Sequence, residues 1–354
     1  MIKKNISSKI LTIGPDYRYP SGGIAKLLNS YSKYFESFNF ITTLRVPLLH
    51  KENILQKIYR FLKALIQCFY ILTTQKIEIV HIHTASGITF YRESIFVLLA
   101  YLFKKNIFIH MHSGILDEFY ENHPKYHHFI LKKVTLIITV ANIWKDFLLS
   151  KGYKNVITIG NPIDMPLSIP KQPSGKLQLL FLGALCDNKG IYDILRMLNK
   201  YKKELEGKIF LYVGGNGEVT RFLDFIHNYK LESMVQYVGW VTGIEKSKLL
   251  SQSDIYLQPS YKEALGIAIL EAMSYRLTII ASCTGGIPEI VNHGTNGFLI
   301  SPGDIDQMYE YINKFLEKKT LLPEMGEKGY QISCNYFPIA IEKQLEKTYM
   351  EYLL

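Results

Sequence analysis

Two glutamates, Glu263 and Glu271, lie eight positions apart in the apolar stretch Ser260–Tyr275, SYKEALGIAILEAMSY. A buried carboxylate is costly unless a partner satisfies it, so the pair needs a reason. The run DIYLQPS before it predicts a strand, and helix formers follow Gly266. At 1.5 Å per residue the two carboxylates would stand roughly 12 Å apart. Carboxylates bind paired hydroxyls and a helix N-terminus attracts anions, so the spacing fits an extended ligand with a diphosphate at its centre. The alternative is two exposed glutamates on an amphipathic helix, which the apolar neighbours of Glu271 disfavour.

Glycine-rich turns ahead of predicted helices offer further anion sites. Lys189 and Gly190 open a helix after the strand-like run LQLLFLG, and Gly215 lies in the similar turn VGGNG. A lysine beside a helix N-terminus could clamp a diphosphate, and glycine permits a close approach of ligand to backbone. Gly22 and Gly23 precede the first long helix in the same manner. Ordinary turns between strand and helix, with a surface lysine, would also explain each pattern. The first turn lacks the G-x-G-x-x-G spacing, so no dinucleotide site is expected there.

Histidines and an arginine follow two strands of the first half. His110 and His112 in FIHMHSG lie two apart, hence on one face of a strand. His112, at the strand exit, could hydrogen-bond a sugar hydroxyl or a developing charge, although a lone histidine at a strand end is usually structural. His81 and His83 are weaker candidates for the same role. Arg92 could reach a phosphate or pair with its neighbour Glu93.

Short apolar runs alternate with helical patterns along the whole chain, which is typical of parallel βαβ units. The prediction is two doubly wound α/β domains, separated by the proline-rich stretch NPIDMPLSIPKQPSGK. The N-terminal domain would span residues 1–165 together with about 337–354, and the C-terminal domain residues 166–336. Ligands of such folds bind at the carboxyl ends of the strands, where the residues above are predicted.

Composition restricts the partners and the compartment. The chain has 354 residues and a net charge of +10, and residues 1–165 hold 21 Lys/Arg against 10 Asp/Glu. This basic half suggests an anionic partner such as lipid headgroups or a diphosphate-linked substrate, or else a solvated basic surface. Nucleic acid is not expected, because no recognition motif accompanies the charge. The scattered four cysteines and the absence of a signal-like or membrane-spanning segment predict a cytoplasmic chain that is soluble or peripheral.

The ordered motifs resemble those of glycosyltransferase family 4, the retaining nucleotide-sugar transferases of GT-B fold. NPID, FLG with KG, VGGNG, the two glutamates, EAM and GGIPEIV with GTNGFL and PGD occur in the family's order between Asn161 and Asp304. GPDYRYPSGGI and HMHSG match the family's N-terminal domain. The resemblance implies two facing Rossmann-like domains, with a C-terminal helix that crosses back to the N-terminal domain.

The same resemblance implies roles for individual residues. Glu263 would contact the transferred sugar, Glu271 the ribose hydroxyls, and Lys189 the diphosphate, while His112 would lie beside the sugar. The remaining expected donor contacts are the backbone near Leu265, Gly266 and Ile267, together with Gly22, Gly23, Gly215 and Arg92. Two positions depart from the family pattern. Ala184 stands where an arginine is common, and Arg276 where EAM-x-x-G has its glycine.

The resemblance thus predicts transfer of a hexose or N-acetylhexosamine from a nucleoside diphosphate sugar, with retention at the anomeric carbon. A UDP-sugar is favoured as donor. The acceptor is expected to be a saccharide, lipid-linked and used in capsule, O-antigen or exopolysaccharide synthesis. No metal ion or other cofactor is expected. Peripheral contact with an anionic membrane is expected. Two alternatives stay open: a nucleotide-sugar epimerase or phosphorylase of the same architecture, and a non-catalytic sugar-nucleotide-binding assembly subunit.

Overall fold

The computed structural model describes residues 1–18, 22–44 and 53–353. They form two compact units: unit 1 comprises Met1–Pro162 and Pro338–Leu354, and unit 2 comprises Ile163–Phe337. The sequence predicts the first boundary after residue 165, and the structure has it three residues earlier. Residues 159–174, around that boundary, carry neither helix nor strand, because their prolines fix φ and remove backbone donors.

Unit 1 is built on a parallel sheet of six strands in the order β2-β1-β3-β4-β5-β6. The strands are β1 Ile10–Pro15, β2 Asn39–Leu44, β3 Ile79–Thr84, β4 Asn106–Met111, β5 Leu136–Thr139 and β6 Val156–Thr158. The helices up to the boundary are α1 Lys4–Ser7, α2 Gly23–Ser32, α3 Ile54–Thr74, α4 Ile88–Leu102, α5 Leu116–Asn122, α6 Pro124–Leu131 and α7 Asn142–Ser150. The sequence FITTLRV also predicts a strand, and its last two residues, Arg45 and Val46, lie outside the described residues.

Unit 2 repeats the plan, with the sheet order β12-β11-β10-β7-β8-β9. The strands are β7 Leu177–Leu182, β8 Ile209–Gly214, β9 Val235–Gly239, β10 Ile255–Gln258, β11 Thr278–Ser282 and β12 Gly297–Ile300. The helices are α8 Ile191–Lys200, α9 Lys202–Leu205, α10 Val219–Asn228, α11 Gly243–Gln252, α12 Ile267–Ser274, α13 Ile287–Ile290, α14 Ile305–Glu317 and α15 Leu321–Ser333. The chain order reverses between β7 and β10, so a ligand crevice is expected where these two strands end.

The last helix, α16 Pro338–Met350, belongs to unit 1. Its Ile341, Leu345 and Tyr349 are buried in the same apolar cluster as Leu28 of α2 and Phe108 of β4. The predicted return of the C-terminal helix to the N-terminal domain therefore has a packing basis. Burial of these side chains is the main free-energy gain that holds the helix there.

Local chemistry sets where the elements end. The sequence VQYVGWV predicts a strand through Val241, but β9 stops at Gly239, whose φ of +73° turns the backbone out of the sheet. β10 stops at Gln258 because Pro259 has no amide hydrogen to donate to a neighbouring strand. In the described ranges no helix combines the length and the apolar character needed to cross a bilayer.

Candidate functional site

Lys189 and Glu263 meet at the carboxyl edge of unit 2, where β7 and β10 lie side by side. Lys189 ends the short 3-10 turn after β7, and its Nζ donates to Glu263 Oε2 at 2.6 Å. The Gln258 amide donates to the same oxygen at 2.7 Å from the end of β10. The lysine and glutamate side chains are 30% and 14% exposed, so solvent and ligands can still reach the pair. A cation, a carboxylate and an amide thus converge at the predicted crevice.

Two glycines allow the loops around this pair to approach each other. Gly190 has φ +71°, and a Cβ there would lie 2.0 Å from the carbonyl oxygen of Pro259. Gly285 has φ +50°, and a Cβ there would lie 1.8 Å from the carbonyl oxygen of Glu263 itself. Any other residue would displace those loops, because real Cβ contacts are much longer and positive φ disfavours a side chain. The GGIPE turn therefore supports the backbone of Glu263.

Glu271 lies within α12 with a lysine as its partner. Lys246 of α11 donates to Glu271 Oε1 at 2.7 Å, and the two side chains are 21% and 12% exposed. The oxygens of a carboxylate can accept hydrogen bonds from hydroxyl groups of a ligand. The interpretation of two exposed glutamates on an amphipathic helix is wrong for both residues, since each is largely buried and paired.

The helix α12, which follows Glu263 and contains Glu271, begins with unpaired backbone donors. Gly266 caps α12 in the left-handed conformation, with φ +97°, and no side chain caps the first turn. Leu265 is 1% exposed, so its side chain packs in the core and only its backbone could face a ligand. Ile267 is the first helical residue. The first-turn amides and the helix dipole favour an anion at this point.

The VGGNG turn has a packing role in the structure. A Cβ on Gly215 would lie 1.8 Å from the carbonyl oxygen of Gly183, so the turn after β8 packs directly on the turn after β7. Gly217, with φ +122°, contacts Leu185 in the same way. This loop contact explains the glycines without a ligand, and the donor contact expected of Gly215 stays a prediction.

Ala184, at the position where an arginine is common, is exposed in the turn after β7. Arg221 of α10 reaches the same turn and pairs with Asp187 at 2.8 and 3.0 Å and with Glu218 at 2.6 Å. Its guanidinium also lies 3.9 Å from the ring centroid of Tyr192. Asp187 and Glu218 therefore already pair with Arg221. The cation that contacts Glu263 is Lys189.

Gly22, Gly23, His112 and Arg92 all belong to unit 1. Gly22 caps α2 with extended backbone, and no side chain caps this helix. Arg92 forms a two-pronged ion pair with the fully buried Glu93, at 2.7 and 2.8 Å. Of the two options for Arg92, contact with a phosphate or pairing with Glu93, the structure shows the pairing. The expected anion-binding roles of these positions stay predictions.

His112 is part of an array of four histidines on one face of the unit 1 sheet. His81 and His83 stand on β3 beside His110 on β4, and His83 Nδ1 lies 3.1 Å from His112 Nε2. His81 bonds the Tyr349 hydroxyl at 2.7 Å. Burial lowers the pKa of His81 and of His112 to about 3, an effect that a hydrogen bond with Asn161 opposes for His112. His112 is therefore neutral at physiological pH and could act on a ligand only through hydrogen bonds.

Among the described residues, one grouping has the geometry of a metal site. His81, His83 and His110 each place a ring nitrogen within 4.8 Å of the others, and all three are buried. Two of these rings, His81 and His110, stack with an interplanar angle of 3° and centroids 5.6 Å apart. The trio is a packed layer beneath α2 and α16, remote in sequence from the Glu263 pair.

Two residues at the unit 2 site were not predicted from the sequence. Gln258 lies near the end of the predicted strand DIYLQPS, so its place at the crevice could have been foreseen from the rule that ligands bind at strand ends. Lys246 has no comparable signal, because it lies on α11, before β10, and nothing in the sequence connects that helix with Glu271.

Comparison with known proteins finds a family model that matches most of unit 2. Residues 168–332, nearly all of unit 2, match the family model described as glycosyl transferases group 1. Among curated relatives, N-acetyl-alpha-D-glucosaminyl L-malate synthase of Bacillus anthracis is 30% identical over 166 residues, 47% of this chain and 43% of that protein. The chain spans between 43% and 65% of the length of the first curated relatives it matches.

Solved structures extend the likeness to both units. Sucrose-phosphate synthase from Thermosynechococcus elongatus matches with a TM-score of 0.78 and 16% identity, over 97% of this chain and 98% of that one. Anabaena HepE in complex with UDP matches with a TM-score of 0.73 and 16% identity, over 97% and 100%. The predicted fold class, α/β of GT-B type with two parallel doubly wound sheets, is confirmed.

Proposed function

We propose that this chain, whose residues 168–332 belong to the glycosyl transferases group 1, transfers a hexose or N-acetylhexosamine from a nucleoside diphosphate sugar to a hydroxyl group of a saccharide acceptor. The product keeps the anomeric configuration of the donor. The proposal needs neither a metal ion nor another cofactor.

The observation that best supports this proposal is the arrangement of side chains around α12. Glu263, with Lys189 and Gln258, stands before the helix, and Glu271, with Lys246, stands within it. The uncapped N-terminus of α12 lies between the two carboxylates in the chain. In the proposal, Glu263 accepts hydrogen bonds from the sugar and Glu271 accepts them from the ribose. The diphosphate is neutralised by Lys189 and by the helix N-terminus.

The reaction would break the bond between the anomeric carbon and the diphosphate oxygen and form a bond from that carbon to the acceptor oxygen. The acceptor proton passes to the departing diphosphate oxygen, so atoms and charge balance without a protein base. Lys189 and the α12 amides stabilise the charge that develops on the leaving group, and Glu263 orients the sugar. Catalysis by this route is mainly electrostatic and positional.

UDP is the favoured nucleotide, because the matched HepE structure holds UDP. An N-acetylhexosamine is the favoured sugar, because the Bacillus relative carries N-acetylglucosaminyl in its name. A lipid-linked saccharide acceptor at the cytoplasmic face of a membrane, for capsule, O-antigen or exopolysaccharide synthesis, is proposed from the basic character of residues 1–165 and the family resemblance.

A thermal-shift panel of nucleoside diphosphates and their sugars tests the donor. At a hundredfold excess over Kd, a true donor adds about 3 kcal/mol to the free energy of unfolding and raises Tm by roughly 5–10 °C. UDP and UDP-N-acetylhexosamines should give the largest shifts. A panel in which no nucleotide raises Tm would contradict the proposed donor class.

Incubation with the donor alone separates the remaining alternatives. A transferase without its acceptor hydrolyses the donor slowly, an epimerase converts the sugar while it stays attached, and a binding subunit leaves the donor intact. The reaction is run with and without a chelator, and the metal content of the protein is measured beside it. Turnover that stops with the chelator would contradict the metal-free mechanism.

A further inference from the structure

The helix α3 exposes a continuous apolar face. Leu55, Tyr59, Leu62 and Ile66 are between 51% and 72% exposed, and they recur at the spacing of one helix side. The complete α3 face, as used below, consists of Leu55, Ile58, Tyr59, Leu62, Ile66, Phe69 and Tyr70. It runs for about 22 Å at 1.5 Å per residue. Seven large apolar side chains side by side exceed what an ordinary soluble surface exposes.

The α3 face is not the side that holds the helix to its own unit. Ala64, Cys68, Ile71 and Leu72 are the buried residues of α3, and they point in another direction around the helix. The start of the helix is fixed by a reciprocal cap, in which Asn53 Oδ1 accepts from the Gln56 amide at 2.9 Å. The face is therefore presented by a well-formed helix that is already packed on its other side.

Charge indicates what covers this face. Residues 53–77 contain four basic residues, Lys57, Arg60, Lys63 and Lys76, and no Asp or Glu. Lys57 and Lys63 are exposed. At about 100° per residue, Lys63 borders the α3 face, whereas Lys57 points to the opposite side of the helix. Two copies packed face to face would bring their Lys63 side chains and two positively charged helices together, whereas an anionic surface would pair with them. A helix with an apolar face bordered by a lysine, and with no acidic residue, is suited to the interface of an anionic lipid bilayer.

We infer that the α3 face docks unit 1 on an anionic lipid bilayer, with α3 lying parallel to the membrane plane and its apolar side chains among the lipid headgroups. The partner is the bilayer surface itself, bound through apolar burial plus the attraction of the lysines. The inference rests on the proposed function in one respect, because docking on the bilayer would bring the chain to a lipid-linked acceptor. The docking does not depend on catalysis.

The test is flotation of the full chain with phosphatidylglycerol-containing vesicles and with phosphatidylcholine vesicles. Wild-type protein should bind the anionic vesicles, and raising the salt from about 0.1 to 0.5 M should weaken binding several-fold. Leu62→Ser/Ile66→Ser should weaken it by about tenfold or more, since both side chains would enter the interface. Lys63→Gln should weaken it several-fold, and with less salt dependence, because Lys63 is the lysine that borders the face.

A matched control replaces exposed apolar residues elsewhere. Leu223→Ser/Ile339→Ser, at positions 45% and 68% exposed, should leave vesicle binding unchanged. Equal binding of the wild type and the Leu62→Ser/Ile66→Ser variant, or no wild-type binding, would overturn the inference. So would a wild-type dimer that this variant converts to monomer, because the face would then belong to a second copy. Nucleotide-induced Tm shifts are measured on the same samples, so a failure of docking is distinguishable from a failure of the proposed function.

Discussion

Replacing His81 with phenylalanine should make unit 1 less sensitive to acid. His81 is fully buried, and that burial lowers the pKa of its ring to about 3, from 6.5 in an exposed histidine. Between these two pH values the unfolded chain binds a proton that the folded chain does not bind. The free energy of unfolding therefore falls as the pH drops below 6.5.

The expected magnitude follows from the size of the shift. Each pH unit between the two pKa values removes about 1.4 kcal/mol, so His81 alone costs about 2 kcal/mol at pH 5. Burial also lowers the pKa values of His83 and His110, so the wild-type loss is larger. In His81→Phe, the dependence on pH should decrease by about 1.4 kcal/mol per pH unit over this window.

The assay is urea unfolding followed by tryptophan fluorescence, in a Trp240→Phe background. Trp144 is then the remaining tryptophan, and it is 5% exposed within unit 1, so its emission reports on that unit. Tyr349→Phe is the matched control, because it removes the 2.7 Å bond to His81 but keeps the titrating ring. A pH dependence of His81→Phe equal to that of Tyr349→Phe would refute the reasoning.

Three further substitutions test the unit 2 site and its surroundings. Glu271→Gln should weaken UDP binding about 10- to 100-fold by calorimetry, because a charged acceptor for hydroxyl groups is lost; unchanged affinity would remove it from the ribose site. Gly285→Ala should lower both the free energy of unfolding and turnover, because its Cβ would collide with the carbonyl of Glu263. Gly294→Ala is the control, because its Cβ meets no atom within 4 Å and should cost only about 1 kcal/mol of backbone strain. Arg276 has φ +62°, so Arg276→Gly should change the free energy of unfolding by less than about 1 kcal/mol, with the relief of strain offsetting the lost ion pair; a larger loss in urea unfolding would contradict this.

The fold was largely predictable because its signals are local and repeated. Apolar runs alternating with amphipathic segments specify parallel strands and helices, and proline marks the junction after Asn161. The glutamate pair was predictable for a related reason, since two carboxylates in an apolar stretch of sequence demand partners. The sequence does not reveal the partner of Glu271, because Lys246 lies on α11 and reaches Glu271 only through tertiary packing.

Surface and backbone details were less accessible from the sequence. The pattern of α3 predicts a helix with a basic side. The structure shows that fewer apolar residues of α3 are buried against unit 1 than are exposed, and this division follows only from tertiary packing. For Arg276 the sequence shows only a departure from the glycine of EAM-x-x-G. The structure adds a reason for that glycine, because the position has φ +62°, in the left-handed region. For Gly215 the sequence leaves a ligand contact and an ordinary turn open, and the structure shows that the carbonyl of Gly183 already requires a glycine there.

The most direct test of the central claim is proton NMR of donor turnover by wild-type protein and by Glu263→Gln, with UDP-N-acetylglucosamine and a panel of saccharide acceptors. The wild type should release UDP and form a glycoside whose anomeric coupling matches that of the donor. Glu263→Gln should still fold and bind UDP, but its turnover should fall by a factor of about 100 or more, because the charged acceptor that orients the sugar is lost. A product with the inverted anomeric configuration, or undiminished turnover by Glu263→Gln, would contradict the account.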